Sequence, residues 1–364
     1  MKNFTYKIAI VHDSFTQMGG AERVVDVFHE MFPEAVVYTL VLDKKFAEKY
    51  KSWKIKTTWL QYFYNFFPKL KFWFLLIPFA VNSIQIKNAD IIISSSSGFV
   101  KNIKIPEKTV HINYCHTPAR FLWLETNEYI NQEVPLILRP IVKIFIKWFK
   151  KWDTNGTKHV QYFIANSKEV KQRIFNIYQS TAEVIYPPID TDFWHKTKPR
   201  SNYFLVGGRL QAHKKIDWVI EIFNELNLPL YVIGTGRQEN FLKGMAKANI
   251  KFLGRVSDTE LRDIYSSALA LIYPQVEDFG LMPVEALSSG TPTIAYAKGG
   301  ALETVLEGQT GEFFMEYKKE SLKDIILHWN SEKYNSEVLK SHSFKFSKEV
   351  FKEKINLFLK GIKL

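Results

Sequence analysis

Short β-branched runs that end in glycine-bearing loops and lead into helical periodicity occur in two series along this chain, and that alternation most restricts its fold. Residues 6–12 form the first apolar run. Gly19 and Gly20 lie in the loop after it, and Glu22, Val24, Val25, Val27 and Phe28 then carry helical spacing. Buried strands are predicted at 90–94, 109–114 and 161–165, with helices at 140–152 and 167–176. The pattern restarts with a strand at 203–207. It continues as helix 216–226, strand 230–234, helix 237–248, strand 250–253, helix 259–266, strand 268–273, helix 281–288 and strand 291–295. Strands alternating with helices specify parallel sheets covered by helices, the α/β class.

The prolines at 187 and 188 suit neither a helix interior nor a central strand, so 186–194 reads as a linker. The expected division is an N-terminal domain 1–188 and a C-terminal domain 189–344. Helical periodicity returns over 318–364, where Phe351, Ile355 and Phe358 share one face, and helix 345–364 is able to pack back on the first domain.

Lys and Arg number 49 against 37 Asp and Glu, a formal net charge of +12 that favours anionic partners. The excess is uneven, with 25 basic and 15 acidic residues over 1–187 but 24 and 22 over 188–364. A composition 46% hydrophobic and 24% charged excludes disordered, collagenous and disulfide-scaffold classes. Cys115 is the only cysteine, so no intrachain disulfide or cysteine-based zinc site forms, and a reducing compartment fits. The first 15 residues hold an apolar run only at 8–11 and do not read as a signal peptide. The longest apolar tract, 72–81, is interrupted by Pro78, whereas a membrane-spanning helix needs roughly 20 apolar residues. A cytoplasmic protein is expected.

Four places carry candidate chemistry. Gly19 and Gly20 open a helix after the first strand, where amide groups and the helix dipole favour an anion; a tight turn would use the same glycines. His116 ends an apolar strand, at the rim of an α/β sheet that ordinarily faces ligand. Its imidazole can hold a sugar hydroxyl or titrate near neutrality, or be a hydrogen-bonded structural group. Neighbouring Cys115 reads as a small core residue. Gly207, Gly208 and Arg209 end the first strand of the second series, with Lys214 and Lys215 at the next helix start. A guanidinium fork and an ammonium there suit a diphosphate, although a solvated charge pair has the same pattern. Glu277 and Glu285 flank a glycine turn through Phe279, Gly280, Leu281 and Met282. Its amides suit phosphate or sugar oxygens and its carboxylates suit hydroxyls, while the plain alternative is a loop glutamate and an exposed helical one.

Taken together these motifs resemble the family 4 retaining glycosyltransferases of the GT-B fold. The resemblance runs through Gly19-Gly20-Ala21-Glu22, Cys115-His116-Thr117-Pro118, Asn166-Ser167, Gly208-Arg209-Leu210 with Lys214, Gly254-Arg255-Val256, Glu277 to Glu285, and Gly290-Thr291-Pro292. It implies two Rossmann-like doubly wound domains facing a central cleft. It further implies that Arg209 and Lys214 clamp the donor diphosphate, that Glu277 holds hydroxyls of the transferred sugar, and that backbone from Phe279 to Met282 supports that sugar. Glu285 would bind the ribose, Arg255 and Val256 would lie beside the base, Gly20 would line the phosphate side, and His116 would face the sugar. The family lysine is often followed by glycine, and Lys214-Lys215 leaves open which one makes the contact. The implied reaction is retaining hexosyl transfer from a nucleotide sugar, with no metal and no other cofactor. Asp190-Thr191-Asp192 has a metal-pair pattern but falls in the linker. The 12–23 stretch and Gly299-Gly300-Ala301-Leu302-Glu303-Thr304 look like the bacterial mannosyltransferase branch that assembles surface polysaccharide or lipid-linked oligosaccharide, which favours GDP-mannose.

Basic and aromatic residues interleave at Trp59 to Phe67, at Lys69, Lys71 and Phe72 to Pro78, and again at 141–152 with Lys143, Lys147, Lys150 and Lys151. Interfacial segments have this composition, so peripheral binding to an anionic membrane at the inner face is expected; a buried aromatic core with snorkelling lysines is the alternative. No nucleic-acid motif is recognised, and no nucleic-acid partner is expected. A sugar-nucleotide epimerase on the same fold and a silent scaffold are the other readings; the intact set Arg209, Lys214, Glu277 and Glu285 argues against the scaffold.

Overall fold

A computed structural model of the chain describes residues 6–362. Residues 1–5, part of the signal-peptide reading, and 363–364, the end of the last predicted helix, lie outside the described residues, as does the side chain of Lys71. The chain divides into two compact units. One runs to Pro187 and resumes at Lys354, and the other spans Pro188–Glu353. The division falls at the paired prolines.

The first unit is built on a seven-stranded parallel sheet: β1 (Ile8–His12), β2 (Val36–Thr39), β3 (Ile55–Thr57), β4 (Ile91–Ser96), β5 (Val110–Cys115), β6 (Tyr162–Ala165) and β7 (Ala182–Val184), in the order β3-β2-β1-β4-β5-β6-β7. Order reverses between β1 and β4, paired from Ile8 opposite Ile91 to His12 opposite Ser95. Apolar residues of both faces are buried because helices cover both sides, as parallel sheets require. Ala9, Val11 and Ile92 pack with Leu60, Tyr64, Ile77 and Val81, and Phe163 and Ala165 pack with Cys115, Val170 and Ile174. Cys115 is therefore a core residue.

The second unit holds a six-stranded parallel sheet: β8 (Phe204–Gly207), β9 (Leu230–Ile233), β10 (Ile250–Gly254), β11 (Leu271–Tyr273), β12 (Thr293–Tyr296) and β13 (Gly311–Phe314), in the order β10-β9-β8-β11-β12-β13. The helix Ile216–Leu226 buries Val219, Ile220 and Phe223 against Phe204, Val206, Leu230 and Val232. Its reversal of strand order lies between β8 and β11.

Several boundaries differ from the sequence expectation. The predicted helix 237–248 is shortened to Glu239–Met245. A side-chain carbon at Gly236 would lie 2.3 Å from the Leu210 carbonyl oxygen, so this loop is held against neighbouring backbone before the helix can begin. Strands β2, β3, β7 and β13 were not anticipated. Each has three or four residues, too few for a period to separate strand from helix.

One buried ion pair ties helices of the first unit together. Lys101 and Asp153 are 1% and 0% exposed, and Lys101 Nζ donates to Asp153 Oδ1. Asp153 Oδ2 also accepts from Trp123 Nε1 at 2.8 Å and from the Tyr178 hydroxyl at 2.7 Å. Removing one member of such a pair leaves an uncompensated charge. Asp153→Ala is expected to lower unfolding stability by about 3–5 kcal/mol in urea titration. The double variant Lys101→Met, Asp153→Leu should regain part of the loss and stop short of the original, because Trp123 and Tyr178 keep donors without acceptors.

Candidate donor site at the strand-order reversal

Ligands of open α/β sheets bind beyond the carboxyl ends of strands where strand order reverses. In the second unit those ends are the loops after β8 and β11, which carry Arg209 and Glu277. Gly208 leaves β8 at φ +119°, a left-handed geometry that glycine adopts without strain. Gly234, at φ +103°, packs so closely that a side-chain carbon would lie 1.9 Å from the Gly208 carbonyl oxygen. The β8 and β9 loops thus touch backbone to backbone, and Arg209 is exposed at their edge. Arg255 and Val256 follow β10; the Gly254 carbonyl accepts the Gly234 amide at 2.7 Å, which places them beside the same rim.

Glu277 meets Lys214. The ammonium forms an ion pair with Glu277 Oε1, both side chains being partly exposed. Lys215, at φ +53° before the helix Ile216–Leu226, instead sets its ammonium 4.8 Å from the Trp218 ring centroid. The structure brings Lys214, and not Lys215, to the carboxylate. The Glu277 carbonyl accepts the Gly300 amide at 2.9 Å, and a side-chain carbon at Gly300 would lie 2.1 Å from the Phe279 carbonyl oxygen. Gly299-Gly300 is therefore the support on which the Glu277–Phe279 loop rests.

Gly280, at φ +88°, turns this loop into the helix Leu281–Ser288. Met282, in its first turn, lies close to Gly208, the ideal side-chain carbon there being 3.7 Å from the Met282 sulfur. The two loops are neighbours. Glu285, on the next turn, is buried and lies 3.4 Å from the Tyr265 hydroxyl, which donates to it. Phe279 is buried against Phe346, so only its backbone is offered to a ligand. Tyr265 and the support at 299–300 were not among the expected site residues. A lone tyrosine on an amphipathic helix reads as core, and Gly299-Gly300, part of the family resemblance, carried no expected site role. Asp190, of the suspected metal pair, is engaged by Lys348 Nζ at 2.7 Å and by the Phe193 amide at 3.0 Å. Those contacts hold its carboxyl below the usual range despite partial burial.

In the first unit the reversal between β1 and β4 gathers a polar group. His116 Nε2 lies 2.8 Å from the Ser95 hydroxyl, and His12 Nδ1 lies 3.2 Å from the Ser95 carbonyl. His12 Nε2 faces Glu22 at 3.8 Å, and the other oxygen of Glu22 accepts the Gly19 amide at 2.8 Å. The Gly19 amide, which the sequence offered to an anion, is taken by the helix's own glutamate. Gly20 is the first residue of that helix, Gly20–Met31. Asp13 accepts the amides of Ser97, Phe99 and Val100 at 2.6, 3.0 and 3.0 Å, fixing the loop after β4. His12 and Ser95 were not anticipated as members of this group, although His12 ends β1 as His116 follows the end of β5.

The two histidines are driven apart. Burial alone would lower His12, but Glu22, the charge of Asp13 and the Ser95 carbonyl outweigh it and hold the imidazole above its ordinary value. Burial, reinforced by His12, pushes His116 down to about 3. At neutral pH His116 is an uncharged hydrogen-bonding group and a weak base, which favours holding a hydroxyl over moving a proton. Buried His111 is also pushed down, to about 3. The signs follow by linkage. Below the ordinary imidazole value the unfolded chain binds protons that folded His111 and His116 refuse, so these two make stability fall on acidification. His12, raised in the fold, contributes stability that is lost as pH rises through its folded value. Histidine NMR of the labelled chain should show His12 titrating above the ordinary value and His116 unchanged down to about pH 5; titration of His116 near neutrality would contradict this arrangement.

The chain matches two family descriptions, "Glycosyltransferase Family 4" over residues 18–193 and "Glycosyl transferases group 1" over residues 189–346. It is 29% identical over 163 residues to O-antigen chain mannosyltransferase RfbU of Salmonella typhimurium, a match covering 42% of this chain and 46% of that protein. It is 25% identical over 371 residues to alpha-1,3/1,6-mannosyltransferase ALG2 of Candida glabrata, covering 83% and 78%. Over several of its curated relatives the match spans only about half to three fifths of their length. Among solved structures, HepE of Anabaena in complex with UDP superposes with a TM-score of 0.73 at 15% identity, covering 98% of this chain and all of that one. The two family matches overlap only at 189–193, just past the junction of the units, each unit has the Rossmann strand order, and the chain belongs to the family 4 glycosyltransferases of the GT-B fold.

Proposed function

We propose that the protein is a retaining hexosyltransferase that moves mannose from GDP-mannose to a hydroxyl of a glycan or a polyprenyl-diphosphate-linked oligosaccharide in polysaccharide biosynthesis. The observation that carries the reading is the convergence of Arg209, the Lys214–Glu277 pair, the Gly280 turn and buried Glu285 at one strand-order reversal. Cations there meet a diphosphate, and carboxylates meet hydroxyls. Lys214 fills the diphosphate role, with Lys215 held on Trp218. Glu277 takes sugar hydroxyls, the backbone from Phe279 to Met282 supports the sugar, and Glu285, oriented by Tyr265, takes the ribose. Arg255 and Val256 flank the base; in the first unit His116, neutral at neutral pH, is suited to a sugar hydroxyl and Gly20 to a phosphate. In the transfer, the bond from the anomeric carbon to the diphosphate breaks as the acceptor oxygen bonds to the same face. The acceptor proton passes to the leaving diphosphate, whose growing charge Arg209 and Lys214 stabilise. No metal is needed where two cations do this work.

Mannose rests on the names of RfbU and ALG2. A UDP-sugar is the second reading, favoured by a fold neighbour solved with UDP and with UDP-glucose. Thermal unfolding with GDP, GDP-mannose, UDP and UDP-glucose separates them. At a hundredfold excess over its dissociation constant the correct nucleotide stabilises the fold by about 2.7 kcal/mol. GDP ligands should give that shift, and Glu285→Ala should abolish it. A shift with UDP ligands alone would replace the donor, and a shift with none of them would overturn the reading.

A further inference from the structure

Two stretches of the first unit present apolar surface that its core does not use. Phe66 and Ile137 are 88% and 84% exposed, and Leu136 and Ile144 are 77% and 70% exposed. More than half of the exposed large hydrophobic side chains among the described residues fall within 62–79 and 136–148. A soluble surface scatters such residues singly, and their concentration marks a docking face.

The stretches form one region. Phe74, from the first, stacks on Phe149, from the second, with ring centroids 4.4 Å apart. The helix Arg139–Gly156 has two distinct faces: Ile146, Phe149, Asp153 and Gly156 are buried, while Ile141, Ile144 and Trp148, three and four residues apart, form an exposed apolar stripe. The turn Leu136–Leu138, exposed throughout, leads straight into that outer stripe. Lys143 and Lys147 are exposed among these residues.

Charge identifies the occupant. No Asp or Glu occurs from residue 49 to 89, a span with seven lysines, or from 134 to 152, which holds Arg139 and four lysines. Long aromatic and aliphatic side chains beside cations of one sign match the acyl boundary and headgroups of an anionic bilayer. Among the described residues no helix is long and apolar enough to cross a membrane.

We infer that the exposed face of residues 62–79 and 136–151 is a monotopic docking surface for an anionic lipid bilayer, with Phe66, Leu136, Ile137 and Ile144 inserted and Lys143 and Lys147 on the headgroups. The inference stands on surface chemistry and does not depend on the donor nucleotide. Its test is co-sedimentation of the full chain with vesicles of phosphatidylcholine alone or mixed with phosphatidylglycerol, at low and high salt. The chain should pellet with the phosphatidylglycerol vesicles at low salt, and much less with phosphatidylcholine alone. Lys143→Gln with Lys147→Gln should weaken partition by roughly fivefold per lysine removed. Ile137→Ser with Ile144→Ser should weaken it at every salt concentration while thermal unfolding stays unchanged, showing an intact fold. The proposal is overturned if anionic vesicles leave the chain in solution, or if neither pair of substitutions changes partition. It is equally overturned if the lipid-free chain sediments as a dimer that Ile137→Ser with Ile144→Ser makes monomeric, for the face is then an interface between copies. A nucleotide thermal shift that persists in these variants keeps the donor reading separate from this one.

Discussion

Backbone must touch backbone at the end of β8, and the geometry of the second unit depends on that contact. Gly234 and Gly236 lie where any side chain would strike Gly208 or Leu210, and Gly300 lies where one would strike Phe279. Loops that meet without side chains between them have little room to shift, because packed backbone has no rotamers to adjust. The Leu210 amide donates to Thr235 at 3.0 Å and the Gln238 amide to Leu210 at 3.0 Å, so the contact is hydrogen-bonded as well as close. Arg209 and Glu277 thus extend from fixed positions, and the order a polar site requires is supplied by the fold and not by the ligand.

Two lysine–carboxylate pairs show how burial divides structure from function. Lys101 and Asp153 are sealed in the first unit, where the carboxylate is also held by Trp123 and Tyr178, and an exchange of partners would strand a charge in an apolar interior. Lys214 and Glu277 are partly exposed and neutralise each other across two loops. Neither side chain is sealed as Lys101 and Asp153 are, so the proposed exchange of this pair for a diphosphate and sugar hydroxyls would strand no charge in an apolar interior. The same chemistry is a strut in one place and an exchangeable contact in the other.

The parallel alternation was legible because buried strands such as Asp90 to Ser94 and Tyr203 to Gly207 are continuous apolar runs between glycine or polar loops. Edge strands were not, since Ile55-Lys56-Thr57 and Ala182-Glu183-Val184 are too short and too mixed to show a period. At the candidate site, glycines and charges beside strand ends stood out, and their proximity in space followed from strand order. What sequence spacing could not show was which neighbour each group would choose. Lys214 and Lys215 are adjacent in the chain, yet the left-handed turn at Lys215 sends one ammonium to Glu277 and the other to Trp218. Likewise the glycine pair at 19 and 20 looked open to an anion until Glu22 was seen to accept the Gly19 amide.

That glutamate also explains the divergence of His12 and His116. Both rings are buried and both lie against Ser95, so burial alone would leave each neutral. Only His12 has a carboxylate within reach. Glu22, helped by Asp13 and the Ser95 carbonyl, raises His12 against its burial, whereas burial, reinforced by His12, holds His116 down. His12 and Glu22 brace the start of the helix Gly20–Met31, while the neutral ring of His116 keeps both donor and acceptor capacity. A sugar hydroxyl both gives and receives hydrogen bonds. A neutral imidazole can meet either need, whereas a charged one could only donate, and suppression of the His116 charge is what suits this position to a hydroxyl.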